Sequence, residues 1–323
     1  MPFVKTTEPL VAARALASGN LAVIPTETVY GLGARADGAH AVARIFATKG
    51  RPVDHPLIAH VYNADAARAW ALRVPDYAET LMDELWPGPL TLVLPRSERA
   101  ADFITGGQDT VALRVPGSPV TREVLRELSG LVSDPHVAVA APSANRFGRV
   151  SPTTAQHAAA EIGDALGDLD VILDAGPCVV GLESTIVDCS GQAPVILRPG
   201  KITAEQIVDV GGAPLGTKTT TRAPGTLAAH YAPRAQVRVC DPDALAELEP
   251  DSGIGVIALA SLPTPAGVVR LCAPHTDDEF AACLYRALRE ADSLGLTSVV
   301  AVPPDGPGLA EAIRDRLQRA AAS

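Results

Sequence analysis

Aromatic residues make up only 4% of the 323-residue chain, and tryptophan occurs twice. A core this poor in rings must be filled by alanine, valine and leucine, which a 47% apolar content supplies. Basic charge is short too: 27 Lys and Arg face 37 Asp and Glu, a formal net charge of -10. Such a balance argues against a broad electrostatic hold on nucleic acid, because Lys and Arg supply most of the grip on phosphate backbones. Any polyanion site must be local. No apolar run approaches the roughly 20 residues that span a bilayer, and the N-terminus lacks a basic stretch followed by an apolar one. A cytoplasmic protein is expected. The five cysteines, Cys178, Cys189, Cys240, Cys272 and Cys283, are scattered and form no C-x-x-C pair. Buried free thiols are expected, rather than a zinc knuckle or a disulfide framework.

Several familiar signatures are missing. Gly211 and Gly216 have the spacing of a phosphate loop, but Thr217 separates Gly216 from Lys218 and the following TTTRAPG cannot open a helix. GLG at 31–33 has no third glycine in place for a dinucleotide fingerprint. H-E-x-x-H, G-x-S-x-G and the calcium-loop pattern do not occur, which removes the common metalloprotease, hydrolase and calcium readings.

What is present is regular alternation. From residue 20 to about 210, strand-like runs (LAVIP, LTLVLP, TVALRVP, VAVAAP, DVILDAG, STIVDC, PVILRP) alternate with helical patterns (AHAVARIFATKG, SPVTREVLRELSG, SPTTAQHAAAEIG). This predicts a mixed α/β domain over 1–210. Ser151 before Pro152 predicts an N-cap with proline at the first helical position. Residues 211–233 lose all periodicity and read as a linker. Strand and helix patterns resume over 234–323, as in a small parallel α/β domain.

Polar residues gather just outside the apolar strands. Thr26, Glu27, Thr28 and Tyr30 follow LAVIP, Arg114 lies in VALRVPG, and Ser143 and Asn145 follow VAVAAP. Glu183, Ser184 and Thr185 open STIVD, and Arg198 closes PVILRPG. In open α/β sheets ligands bind outside strand ends, so the repetition points to one site. Taken singly, Lys49 and Arg51 could be a solvated helix end, Ser143 and Asn145 turn formers, Glu183 a surface carboxylate and His60 a satisfied core histidine. Arg114 and Arg198 resist such explanations, since an arginine inside a Val/Leu/Ile strand needs an anionic partner. Lys49, Arg51, Arg114 and Arg198 beside hydroxyls and an amide suit a triphosphate and a carboxylate. With no evident nucleophile, catalysis by positioning and leaving-group stabilisation is favoured over a covalent intermediate.

PTETVYGLGA, KGRP with PLIAHV, WPGPLTLVL, ALRVPG, PSAN with SPTTAQH, GLESTIVD and ILRPG occur in this order and resemble the YrdC family. PGTLAAHYAP and the C-terminal α/β region are similar to its two-domain form. The resemblance implies a YrdC-like twisted mixed sheet with flanking helices, followed by a small Rossmann-like parallel domain. It also implies synthesis of L-threonylcarbamoyladenylate and pyrophosphate from L-threonine, bicarbonate and ATP with Mg²⁺, for modification of adenosine 37 in tRNA by downstream transfer enzymes. Stable nucleic-acid or membrane binding is not expected. Carried over, Lys49, Arg51, Ser143 and Asn145 would act at the nucleotide phosphates. Thr28, His60, Arg114 and Ser184 would hold threonine, and Thr110, Ser151, Arg198 and Tyr231 would add ATP contacts. His55 stands at that nucleotide edge where many relatives have Asn, and TLAA at 226–229 lacks the basic and aromatic residues many relatives place before HYAP. A carbamoyl-adenylate-forming carbamoyltransferase and a non-catalytic RNA-binding module are the alternatives. The first lacks its acylphosphatase-like and cysteine-rich regions here, and the second lacks an aromatic stacking platform.

Overall fold

The computed structural model describes residues 3–217, 219–226 and 230–322, so Lys218 and most of TLAA lie outside the described residues. Strands β1 (Val4–Thr6), β2 (Ala22–Pro25), β3 (Tyr30–Arg35), β4 (Ile58–His60), β5 (Leu90–Pro95), β6 (Thr110–Arg114), β7 (Val139–Ala140), β8 (Val171–Leu173), β9 (Thr185–Asp188) and β10 (Val195–Arg198) form one sheet. Their order is β1-β8-β2-β3-β7-β4-β6-β5-β9-β10. Parallel pairs such as β4 with β6 and β5 with β9 mix with antiparallel pairs such as β2 with β3 and β5 with β6. A second sheet, in the order β11-β14-β12-β13, joins β11 (Gln236–Val239), β12 (Ile254–Ile257), β13 (Val269–Cys272) and β14 (Ser298–Ala301) through parallel pairs. The chain thus builds the mixed α/β sheet and the smaller parallel unit that its sequence predicts.

Period-two alternation divides the first core. In β2, Ala22 and Ile24 pack with helices Pro9–Ala17 and Pro119–Val132, while Val23 joins the cluster on the opposite face. Burying Ile24 or Leu125 contributes roughly 1.5–3 kcal/mol each. Helix Ala39–Lys49 buries Ala41, Val42, Ile45, Phe46 and Lys49 along one face and stops at Gly50, whose φ of 63° is left-handed. This stop lets the amides of Gly50 and Arg51 donate to the carbonyls of Ala47 and Phe46 at 3.2 and 3.0 Å. Lys49 is consequently 2% exposed and Arg51 7%, so the pair is not a solvated helix end.

Two expectations need correction. The helix around His157 starts at Ala155, capped by Thr154, whose side chain accepts from the His157 amide. Ser151 is not its cap, because the Ser151 hydroxyl is drawn to the Glu183 carboxylate at 2.6 Å and the Pro152 carbonyl accepts from the Tyr30 amide. Cys272 and Cys283 are joined in a disulfide, while Cys178, Cys189 and Cys240 are free. The bond spans the return from β13 into helix Asp277–Ser293, a proximity that appears only once the chain turns back on itself. No helix among the described residues is long and apolar enough to cross a membrane.

Beyond helix Ala204–Gly211, the described residues before β11 form neither helix nor strand. Charged contacts tie the two sheet units together. Arg289 pairs with Glu161 at 3.0 Å and Arg149 with Asp292 at 3.1 Å. Glu183, just before β9, accepts from Tyr285 at 2.8 Å and from Arg316 at 2.9 Å, both on helices of the second unit. Burial alone would raise the Glu183 pKa; the charges of Arg316 and Arg198, with hydrogen bonds from Ser151 and Arg316, outweigh it and hold the group at about 2. A depressed carboxylate stabilises the fold above its unfolded pKa near 4.3, and that contribution is lost as pH falls toward the folded value. The melting temperature should therefore fall as pH drops from about 4.5 toward 2. Glu183→Gln should melt lower at neutral pH and lose less over the same interval, as thermal denaturation followed by circular dichroism would report.

Candidate active site

Side chains from many strand ends converge on one cavity. Thr26 and Thr28 come from the turn after β2, His60 ends β4, Arg114 ends β6 and Ser143 follows β7. Glu183 and Ser184 precede β9, Arg198 ends β10, and Arg51 arrives from the glycine stop at residue 50. Linker residues Pro224, Gly225, His230 and Tyr231 complete the wall and leave a space of about 50 Å³. That is well below the roughly 300–1,000 Å³ usual for small-molecule sites, so a ligand of ordinary size needs more room than the linker leaves here.

The cavity is strongly basic. Lys49 donates to the carbonyls of Ser143 and Asn145, each at 2.5 Å, and burial together with nearby Arg51 holds its pKa well below that of free lysine. Arg51 donates to the Pro56 carbonyl at 3.1 Å and lies 5.8 Å from the Phe147 ring centroid. Its Nε has no partner among the described residues, and burial brings its pKa down to about 10. Arg198 places Nε and Nη2 on the Ser184 carbonyl at 3.1 and 2.9 Å and Nη1 on the Pro224 carbonyl at 3.0 Å.

Arg114 uses its guanidinium differently. It donates to the Gly88 carbonyl at 3.1 Å, to the Thr28 hydroxyl at 2.9 Å and to the Glu27 carboxylate. Burial works to raise the Glu27 pKa, yet the charge and hydrogen bond of Arg114 leave it below the ordinary value. His60, on the neighbouring strand, has no partner for Nδ1 among the described residues. Burial, then Arg114, pushes its pKa down to about 3, so the ring is neutral near pH 7. Ser184 shares a 2.7 Å hydrogen bond with Thr91.

Of the residues expected from sequence, Thr28, Arg51, His60, Arg114, Ser143, Ser184, Arg198 and Tyr231 line this one cavity. Lys49 and Asn145 sit behind Ser143; Asn145 donates to the Arg146 and Arg149 carbonyls at 2.7 and 2.8 Å. Ser151 is one step removed, bonded to Glu183. His55 packs edge-on against Phe147 at 5.4 Å. Thr110 begins β6 and is not part of the cavity lining. Two ordinary explanations fail: Glu183 is 6% exposed rather than a surface carboxylate, and His60 keeps an unsatisfied ring nitrogen rather than being a satisfied core histidine. Sequence reasoning missed Glu27 as the partner of Arg114, although an arginine inside an apolar strand calls for a nearby acid. It also missed Phe147, Tyr285 and Arg316, which stand in stretches with no local signature.

Residues 14–200 match the Sua5/YciO/YrdC family model described as "Telomere recombination", and residues 202–322 match that of the "Threonylcarbamoyl-AMP synthase, C-terminal domain". The threonylcarbamoyl-AMP synthase of Pyrococcus abyssi is 40% identical over 96% of this chain and 93% of its own. That of Bacillus subtilis is 37% identical over 98% and 94%. The crystal structure of P. abyssi Sua5 complexed with L-threonine superposes with a TM-score of 0.86 at 37% identity, covering 99% of this chain and 98% of that one. Agreement that runs through both sheet units and the segment between them means that the chain belongs to the two-domain threonylcarbamoyl-AMP synthase family.

Proposed function

We propose that this nucleotidyltransferase condenses L-threonine, bicarbonate and ATP into L-threonylcarbamoyladenylate, releasing pyrophosphate, and that cytoplasmic transfer enzymes pass the threonylcarbamoyl group to adenosine 37 of tRNA. The observation that carries the reading is the set of buried cations at one cavity: Arg51, Arg114 and Arg198 line it, and Lys49 stands behind Ser143. Such a set suits a polyphosphate and an amino-acid carboxylate together.

In this reading the threonine amine bonds to CO2 released from bicarbonate, the amine proton and the bicarbonate hydroxide leaving as water, to give N-carboxythreonine. Its carboxylate oxygen attacks the α-phosphorus in line; the new P–O bond forms as the bridging bond to the β-phosphate breaks, and pyrophosphate carries the charge away. Lys49, Arg51 and Arg198 offset that charge as it develops. Ser143 and Asn145 shape the phosphate end, and Lys49 exchanges their carbonyls for phosphate oxygens. Ser151, Tyr231 and, at the rim, His55 and Thr110 contribute to the nucleotide side.

Threonine falls to the other end. Arg114 has five N–H donors, of which Gly88, Thr28 and Glu27 engage three, leaving two for a carboxylate fork. Neutral His60, Thr28 and Ser184 can then satisfy the amine and hydroxyl, and a site built to hydrogen-bond the hydroxyl rejects valine. Mg²⁺ enters as the salt of ATP, a substrate: Glu27 and Glu183 are both committed to arginines, so the residues fit a metal held by phosphate oxygens better than a resident one. The linker closes over the labile adenylate and keeps water from it.

Pyrophosphate release is expected to require threonine and bicarbonate together and to fall by at least about a hundredfold in Lys49→Ala. Release that is indifferent to threonine would sink the reading. Arg114→Ala should weaken threonine binding by roughly two orders of magnitude while leaving ATP within a few-fold; a calorimetric titration showing equal loss of both ligands would remove Arg114 from the threonine site.

A further inference from the structure

Arg316 belongs to helix Leu309–Ala321 of the second unit, yet its side chain is fully buried behind the cavity of the first. Nε donates to Glu183 at 2.9 Å, Nη2 to the Pro199 carbonyl at 3.0 Å and Nη1 to Asp315 at 2.5 Å. Its guanidinium carbon also lies 5.2 Å from the centroid of the Tyr231 ring. Tyr285, from helix Asp277–Ser293, stacks on Tyr231 with ring centroids 5.6 Å apart and 27° between planes, while its hydroxyl donates to Glu183 at 2.8 Å.

Two features separate this cluster from ordinary packing. Tyr231 has a φ of 65°, a left-handed conformation unusual for a bulky residue and held only where surroundings over-determine it. Arg316 and Tyr285 are those surroundings. Glu183, in turn, lines the cavity and holds Ser151 through its other oxygen at 2.6 Å. A buried ion pair is weak evidence for stability, since apolar residues of similar volume often serve as well. Here one partner faces the reaction space and the other bears on the closing tyrosine.

We propose that Arg316 and Tyr285 are positioning residues through which the second unit acts on the reaction of the first: they fix Glu183 and Ser151 at the nucleotide side and seat Tyr231 in the closed linker. This rests on the synthase reading above. Linker closure is productive only when the second unit is docked, because the seat is built from its two helices.

The test uses the full-length protein and steady-state pyrophosphate release. If the wild type shows no threonine-dependent release, the synthase reading falls and this proposal with it. Given release, Arg316→Gln and Tyr285→Phe should each lower kcat about tenfold or more, the effect of losing one charge-assisted hydrogen bond at a positioned group. The threonine KM should stay within about twofold, because Thr28, His60 and Arg114 touch neither residue and the Ser184 hydroxyl bonds to Thr91 and Arg198 instead. Arg316→Lys should recover part of the loss by restoring the charge. Arg316→Gln combined with Glu183→Gln should be no slower than the slower single variant, as expected for residues acting through one another. Wild-type kcat in both single variants, or losses that multiply in the double variant, would overturn the proposal. Should Arg316→Gln fail to fold, Tyr285→Phe, which removes one hydroxyl, decides alone.

Discussion

Buried positive charge is the constraint around which this structure is organised. Lys49, Arg51, Arg114, Arg198 and Arg316 are each 7% exposed or less, and among the described residues three carboxylates pair with them: Glu27 with Arg114, and Glu183 and Asp315 with Arg316. Taking a cation from water without a counter-charge is costly. The fold spreads that cost over carbonyl dipoles: Ser143 and Asn145 around Lys49, Pro56 at Arg51, Ser184 and Pro224 at Arg198. Dipoles are partial charges and do not fully replace water, so burial, with neighbouring arginines as a smaller contribution, leaves the pKa values of Lys49, Arg51 and Arg198 lowered. A triphosphate is the kind of ligand that offsets the remaining cost. An overall acidic chain can in this way hold a strongly basic site.

The same constraint explains why two sheet units and a linker belong to one machine. Glu183 offsets cations from both units, since Arg198 and Arg316 each act on its carboxyl group. Arg198 meanwhile holds the Pro224 carbonyl, which draws the linker into the cavity. His230 and Tyr231 follow, with His230 buried between the rings of Phe147 and Tyr231. Burial keeps the His230 pKa down at about 3, so closure adds no further positive charge.

Much of this was legible in the sequence. Short apolar strands bounded by polar residues gave the mixed sheet, and the polar residues after them became the cavity wall, because a strand end fixes where its next side chain points. Lys49 and Arg51 were legible only in company, with Arg114 and Arg198 and through the family resemblance, since alone they read equally as a solvated helix end. Ser151 misled because its hydroxyl donates to Glu183 instead of accepting from a helix amide, a role that Thr154 takes. Cys272 and Cys283 carry no spacing signal, since their meeting depends on β13 returning into helix Asp277–Ser293. Arg316 and Tyr285 were invisible for a related reason: each reads as an ordinary residue of an amphipathic helix until the second unit docks.

The claim that cationic surplus defines the site is tested most directly by proton linkage. Titrating Mg²⁺-ATP calorimetrically at about pH 8.5, in buffers of different ionisation enthalpy, reads the protons taken up on binding. Phosphate oxygens that replace the carbonyls around Lys49 should raise its depressed pKa. The wild type should show net proton uptake that is lost in Lys49→Met. ATP binding without proton exchange, or with the same uptake in both proteins, would contradict that claim.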